Sequence, residues 1–257
     1  MQTKSATSNR LKAASDPKTR SHDEVSLLLT PRTITVFLLV ITFILVIAHV
    51  IAVSLEINLP EESKIRRVIV QYFYFGSEAN FPTYFSALLL LVSSILSFYI
   101  YKIDSLRNDI KNLKYWRSIS LILLFLSMDE AVQIHEQMMS VMHYLIPNLP
   151  DILASAWVIP YALIFLFIAF FFSKFILSLP YKTRNLIILA GLTFVTGAIA
   201  LEVFESYLYN EYGAKHFTFL IAVTLEELLE MAGIVLFIYA LLDYILLRFT
   251  RLRVTIK

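Results

Sequence analysis

Six apolar runs, each long enough to cross a bilayer, leave this chain little choice of fold. A spanning helix needs about 20 predominantly apolar residues. The runs fall at roughly 33–55, 83–103, 117–146, 153–178, 185–209 and 217–247. Hydrocarbon offers no water to satisfy backbone N–H and C=O groups, so such runs must be helical. The expected fold is therefore all-α, a polytopic membrane bundle of six transmembrane helices. Charge content agrees: 16% of residues are charged, against about 25% in soluble domains. A polar tail of about thirty residues precedes the first run. That run also exceeds the roughly 7–15 residues of a signal peptide's apolar region, so it reads as a retained span.

Orientation follows from the basic residues. Eighteen Lys and Arg fall in the N-terminal tail, the second and fourth connections and the C-terminus, and four in the odd-numbered connections. Cytoplasmic connections carry the excess of Lys and Arg, so both termini are expected to be cytoplasmic, in a multi-pass protein of the cell membrane. Residues 1–30 are expected to be a disordered cytoplasmic tail, 31–250 the six-helix domain, and 251–257 a short cytoplasmic tail. Near 61–75, Ile65, Val68, Ile69, Tyr72 and Phe73 recur at helical spacing beside Arg66 and Arg67, which predicts a short helix lying in the outer interface. Pro147 and Pro150 mark a turn, and Pro160 is expected to kink the fourth span.

Charges sit where lipid should be. The third span carries Asp129, Glu130, His135 and Glu136 in SMDEAVQIHEQMMS, the fifth Glu202 and Glu205, and the sixth Glu226, Glu227 and Glu230. No Lys or Arg interrupts these stretches. Each charge at mid-membrane opposes insertion by roughly 2.5–3.5 kcal/mol, so eight ionised acids would cost on the order of 20 kcal/mol. Protons or metal ions must hold them.

Residues three, four or seven apart share a helix face. Asp129, Gln133, Glu136, Ser140 and His143 then form one stripe on a continuous third helix, with Glu130 and His135 flanking it. Gly191, Val195, Ala198, Glu202, Glu205 and Tyr209 form a seam on the fifth, whose small residues permit close helix approach. Glu230 pairs with Glu226 and Glu227 on the sixth, and Gly233 extends that face. At about 1.5 Å per residue, all three sets lie between the midplane and the outer leaflet. One shared site is expected there.

Oxygen ligands with imidazole suit iron, manganese or zinc, and with no cysteine copper(I) and iron–sulfur clusters are excluded. A two-metal site in a helical bundle uses about four carboxylates and two histidines. The candidate ligands of one or two divalent ions are Asp129, His135, Glu136, Glu202, Glu226 and Glu230, with His143 or His49 as a second imidazole. Glu130, Glu205 and Glu227 are the candidate general acids or bases. Glu130 and His135 are five apart, so the Glu-x-x-His pair of ferritin-like di-iron bundles is absent.

Two functions fit. One is a membrane-embedded metalloenzyme, an oxidoreductase or hydrolase, acting on a membrane lipid or another hydrophobic small molecule. The other is a transporter or channel in which the same acids carry protons or divalent cations. Six spans without repeats or Gly/Pro-broken helices lack the usual marks of alternating access. A third, weaker reading is an assembly or sensor subunit with a structural metal. No nucleotide-binding glycine motif is present and nucleic acid is not an expected partner.

Overall fold

The computed structural model describes residues 30–106 and 110–248; the two terminal tails expected at 1–30 and 251–257 lie outside the described residues, apart from Thr30. Among the described residues nine α-helices follow one another: α1 Pro31–Asn58, α2 Lys64–Phe73, α3 Phe81–Leu106, α4 Leu113–Val132, α5 Ile134–Leu145, α6 Val158–Ser178, α7 Tyr181–Val195, α8 Glu202–Tyr212 and α9 Phe217–Arg248. No strand occurs among the described residues. Among the described residues five stretches are long and apolar enough to cross a membrane, α7 and α8 counting as one, and there are six if the bent pair α4–α5 is one span. Large apolar side chains such as Phe43, Leu88, Leu166, Phe167 and Phe170 are exposed on these helices, the pattern expected where lipid is the solvent.

Local chemistry sets the helix ends. Thr30 caps α1 by accepting the Thr33 N–H, with Pro31 in the first turn, where a missing N–H costs nothing. Ser63 caps α2 in the same way through Arg66 N–H. The helix expected near 61–75 thus occupies Lys64–Phe73, and it packs on α1 and α3. Pro160 falls in the first turn of α6, so it starts that helix instead of kinking it.

α9 is the centre of the bundle. It packs against α1, α3, α7, α8 and the turn joining α7 to α8. Met231, Ile238, Ala240 and Leu241 along it are fully buried. α3 and α4 form the other close pair, joined by serines: Ser94 Oγ donates to Ser120 O at 2.8 Å and Ser127 Oγ to Ala87 O at 2.8 Å. At the far end of α9, Arg248 donates to Asp104 of α3 and to Tyr244, while Asp243 pairs with Lys182 at 2.6 Å.

Two spans depart from the continuous helices that periodicity predicts. The third breaks at Gln133, which adopts a left-handed conformation (φ 61°, ψ 46°), and α5 leaves α4 at 81°. The stripe from Asp129 to His143 is therefore divided between two helices and is not one face. In the fifth, Thr196–Leu201 winds as a π-helix. The extra residue of that turn moves the packed face. Ala190 and Gly197 are buried, and so is Glu205 beyond the turn; Gly191 faces open space.

Glycine governs the resulting approach of α9. A Cβ on Gly233 would stand 2.7 Å from Phe194 N, and one on Gly197 would stand 2.8 Å from Glu226 O. Gly233→Ala is therefore expected to lower the melting temperature in detergent, because overpacking costs about 1–3 kcal/mol. Gly191→Ala, with nothing within 4 Å of the new methyl, should leave it unchanged or slightly raised. Equal melting temperatures for the two variants would contradict the assigned register.

Candidate metal centre

The break at Gln133 strips the following residues of helical acceptors, and Asp129 takes over part of that role. Its Oδ1 accepts the His135 N–H at 2.8 Å and lies 3.4 Å from His135 Nδ1. Its Oδ2 accepts the Tyr161 hydroxyl at 3.0 Å. Both oxygens of this buried side chain are thus engaged by protein groups. A carboxylate placed beside Nδ1 orients an imidazole and leaves Nε2 for another partner. Trp157 lies against the His135 ring, centroids 5.0 Å apart, and Tyr161 meets Trp157 edge-on.

His135 Nε2 faces two carboxylates, Glu78 Oε1 at 3.9 Å and Glu136 Oε1 at 4.0 Å. These separations are too long for hydrogen bonds and close to what two ligands span across one ion at about 2.0–2.2 Å each. One donor atom from each of Glu78, His135 and Glu136 lies within 4.8 Å of the others.

Glu78 was not a sequence candidate, because it lies in the loop between α2 and α3. That loop is built firmly. Asn80, buried, donates to Tyr74 O at 2.7 Å and to Ser77 O, and its Oδ1 accepts the Thr83 N–H at 3.0 Å. Phe75 N–H donates to His49 Nδ1 at 3.0 Å. Since Nδ1 accepts, Nε2 must carry the proton and donate to Thr224 Oγ1 at 2.9 Å, whose own hydroxyl donates to Leu220 O at 2.6 Å. Both His49 nitrogens are therefore occupied, and this ring ties the loop to α9; it offers no second imidazole to the cluster. His143, the other candidate, meets Ala154 O at 2.9 Å and joins neither group. The signal for Glu78 was an acid among turn residues, GSEAN, directly ahead of a span.

A second group joins the fifth and sixth spans. Glu202 follows the π-turn, Glu205 lies one helical turn on, and Glu226 faces them from α9, with one oxygen from each within 4.8 Å of the others. Gly197 permits this, since any side chain there would run into the backbone oxygen of Glu226. Three carboxyl groups so close require a proton or a cation among them. Glu205 Oε1 and Glu227 Oε2 are shielded from solvent without a hydrogen-bond partner.

The expected single site is thus resolved into two groups. Glu227 and Glu230 are in electrostatic reach of both, Glu227 of Glu130, Glu78, Glu205 and Glu202, and Glu230 of Glu227, Glu130, Glu202 and Glu78, while Glu130 neighbours Glu78, His135 and Asp129. The loop groups belong to the same field. Burial pushes the Glu78 carboxyl above the ordinary carboxylate range, His135 opposes this and Glu136 adds to it. Burial, with the charges of Glu205 and Glu56, pushes the Tyr74 phenol up to about 12.

Fold and site together define an all-helical, membrane-type bundle with an acidic centre shared by a loop and three spans. Residues 37–245 match a family described as a domain of unknown function, DUF8692, and the chain belongs to that family. No curated protein and no solved structure matches it.

Glu78 supplies a pH test. Its raised folded-state value means that folded protein holds this proton more tightly than unfolded chain, so the contribution to stability is complete at low pH and lost as pH rises through that value. With chelator present, Glu78→Gln should match the wild-type melting temperature in acid and exceed it above the ordinary carboxylate range. A difference that stays constant across pH would contradict the assignment.

Proposed function

We propose that this protein is a membrane-embedded metalloenzyme of the cell membrane, with both termini cytoplasmic, acting on a lipid or another hydrophobic substrate. The observation that carries the reading is the oriented imidazole: Asp129 stands beside Nδ1 of His135 while Nε2 faces Glu78 and Glu136. Two carboxylates and one such nitrogen suit iron, manganese or zinc. His135, Glu136 and Glu78 would hold one ion, and Glu202, Glu205 and Glu226 a second.

A bound divalent ion supplies Lewis acidity and an activated water. The chain's own residues do the rest. Asp129 and Tyr161 set the His135 ring, and Trp157 covers it. Glu130, Glu227 and Glu230 adjoin these groups, where a carboxyl can give or take a proton beside a reacting atom. Relative to the sequence-based roles, Asp129 becomes a positioning residue, Glu78 joins the ligands, Glu205 moves from acid–base work to the second ligand group, and Glu230 moves from the ligands to acid–base work.

One observation favours the alternative, cation or proton transport. The third span is broken in mid-course and the fifth carries a π-turn, and discontinuous helices are a mark of transport sites. Acids running from Glu78 through Glu130, Glu227 and Glu230 to Glu202 would then form the path.

Metal analysis of the purified protein separates the two. The metalloenzyme reading expects near-stoichiometric iron, manganese or zinc, lost in His135→Ala and in the double variant Glu205→Gln/Glu226→Gln. Asp129→Asn should keep the fold, since an amide oxygen still accepts the His135 N–H, while metal affinity drops about 10–100-fold. A wild-type protein that carries no metal after supplementation and moves protons in liposomes would sink the enzyme reading.

A further inference from the structure

α5 is attached to the bundle mainly by its two ends. It leaves α4 at 81° through a joint of one residue, the left-handed Gln133, and no residue along it is buried. Among the described residues it packs closely on no helix but α4. A segment with so few buried apolar contacts separates from its surroundings far more readily than a core helix such as α9 does.

The near end is anchored. Asp129 Oδ1 accepts the His135 N–H at 2.8 Å, and Trp157 lies against the His135 ring. The far end is latched. His143 meets Ala154 O at 2.9 Å, and since a carbonyl only accepts, Nε2 carries the proton and donates. The residue after Ala154 is itself fixed: Ser206 Oγ accepts the Ser155 N–H at 3.2 Å and donates to Ser155 Oγ at 2.8 Å. That pair ties the receiving side of the latch to α8, beside Glu205. Between anchor and latch, Val141, Tyr144 and Leu145 are exposed, and Met138, Met139 and Met142 are half-buried. Methionine repacks without a fixed geometry, which suits a surface that closes and reopens. Glu136, one of the two carboxylates facing His135 Nε2, turns with this helix, whereas Glu78 stays with its loop.

We propose that α5 is a gate: it hinges at Gln133, is latched shut by the His143–Ala154 bond, and opens to admit a hydrophobic substrate to His135 and Glu136. An ion bound through Glu136 shifts it toward the closed state, because only that state brings Glu136 to the other ligands. Hinge and latch stand on the geometry alone. Substrate and ion rest on the metalloenzyme reading.

The chain has no cysteine, so Tyr144→Cys on α5 and Glu211→Cys on α8, both at exposed positions, would carry the only two spin labels. Their separation is measured by pulsed dipolar spectroscopy on the full-length protein, with chelator and with saturating Zn²⁺, which is diamagnetic. Two distances are expected with chelator, and Zn²⁺ should shift the population toward one of them, the closed state. With chelator present, His143→Ala should raise the open-to-closed ratio by about three- to tenfold, the size of one lost neutral hydrogen bond, and His143→Gln, which keeps a donor, should restore much of it. Glu136→Ala should leave the ratio with chelator unchanged and abolish the response to Zn²⁺. A single distance under both conditions and in His143→Ala, or a ratio that His143→Ala does not move, overturns the gate. Zinc content is measured in parallel. Bound zinc that leaves the ratio unchanged overturns the part assigned to Glu136. Stoichiometric zinc with one fixed distance removes the gate and leaves the metalloenzyme reading. Two distances that answer to His143→Ala in a protein that binds no metal do the reverse.

Discussion

A carboxyl group placed inside an apolar bundle must find a proton, a cation or a hydrogen-bond donor, because bare charge is expensive there. This requirement organises the middle of the molecule. Asp129 meets it with two donors, the His135 backbone and the Tyr161 hydroxyl. Glu56 meets it with Arg66, and Asp104 with Arg248. Glu202, Glu205 and Glu226 instead face one another, and there a shared proton or a cation is what would meet the requirement.

The architecture delivers these groups through interruptions of regular helix. A left-handed residue other than Gly costs roughly 1–2 kcal/mol, and strain of that kind persists where the surroundings over-determine it. At Gln133 the surroundings are Asp129, whose backbone oxygen accepts the Gln133 N–H at 2.7 Å while its side chain caps the next turn. At the π-turn they are Gly197 and the α9 backbone. α9 runs unbroken and supplies Glu226, Glu227 and Glu230 from a helix packed against α1, α3, α7, α8 and the π-turn. The loop bearing Glu78 is held to that same helix by the His49–Thr224 bond.

The spans were legible because twenty apolar residues admit one backbone solution in lipid, and the acids were legible because their cost makes them conspicuous. Their grouping was less so. A break at Gln133 leaves no trace in composition, since neither glycine nor proline stands there, and 3.6-residue periodicity continues through it. The seam predicted through Gly191 and Ala198 packs one position earlier, at Ala190 and Gly197, whereas Glu205 beyond the π-turn is buried as the seam has it, because the turn changes the period locally. Glu78 escaped because a loop residue has no periodicity to read, and its approach to His135 depends on Asn80 and Phe75 contacts that fold the loop inward. His49 looked like a ligand by type alone; only the direction of the Phe75 N–H removes it from that role.

The π-turn also makes the centre a matter of phase. Each residue of an α-helix advances the chain by about 100°, so the one surplus residue in Thr196–Leu201 sets the rotational angle of everything beyond it. Shortening that segment by a single residue would let it relax to ordinary α-helix and swing Glu202 and Glu205 away from Glu226, with all three acids still present. The acidic centre is thus more vulnerable to a one-residue deletion in TGAIAL than to most substitutions there, and the spacing of this turn constrains the chain as strongly as the identity of its acids.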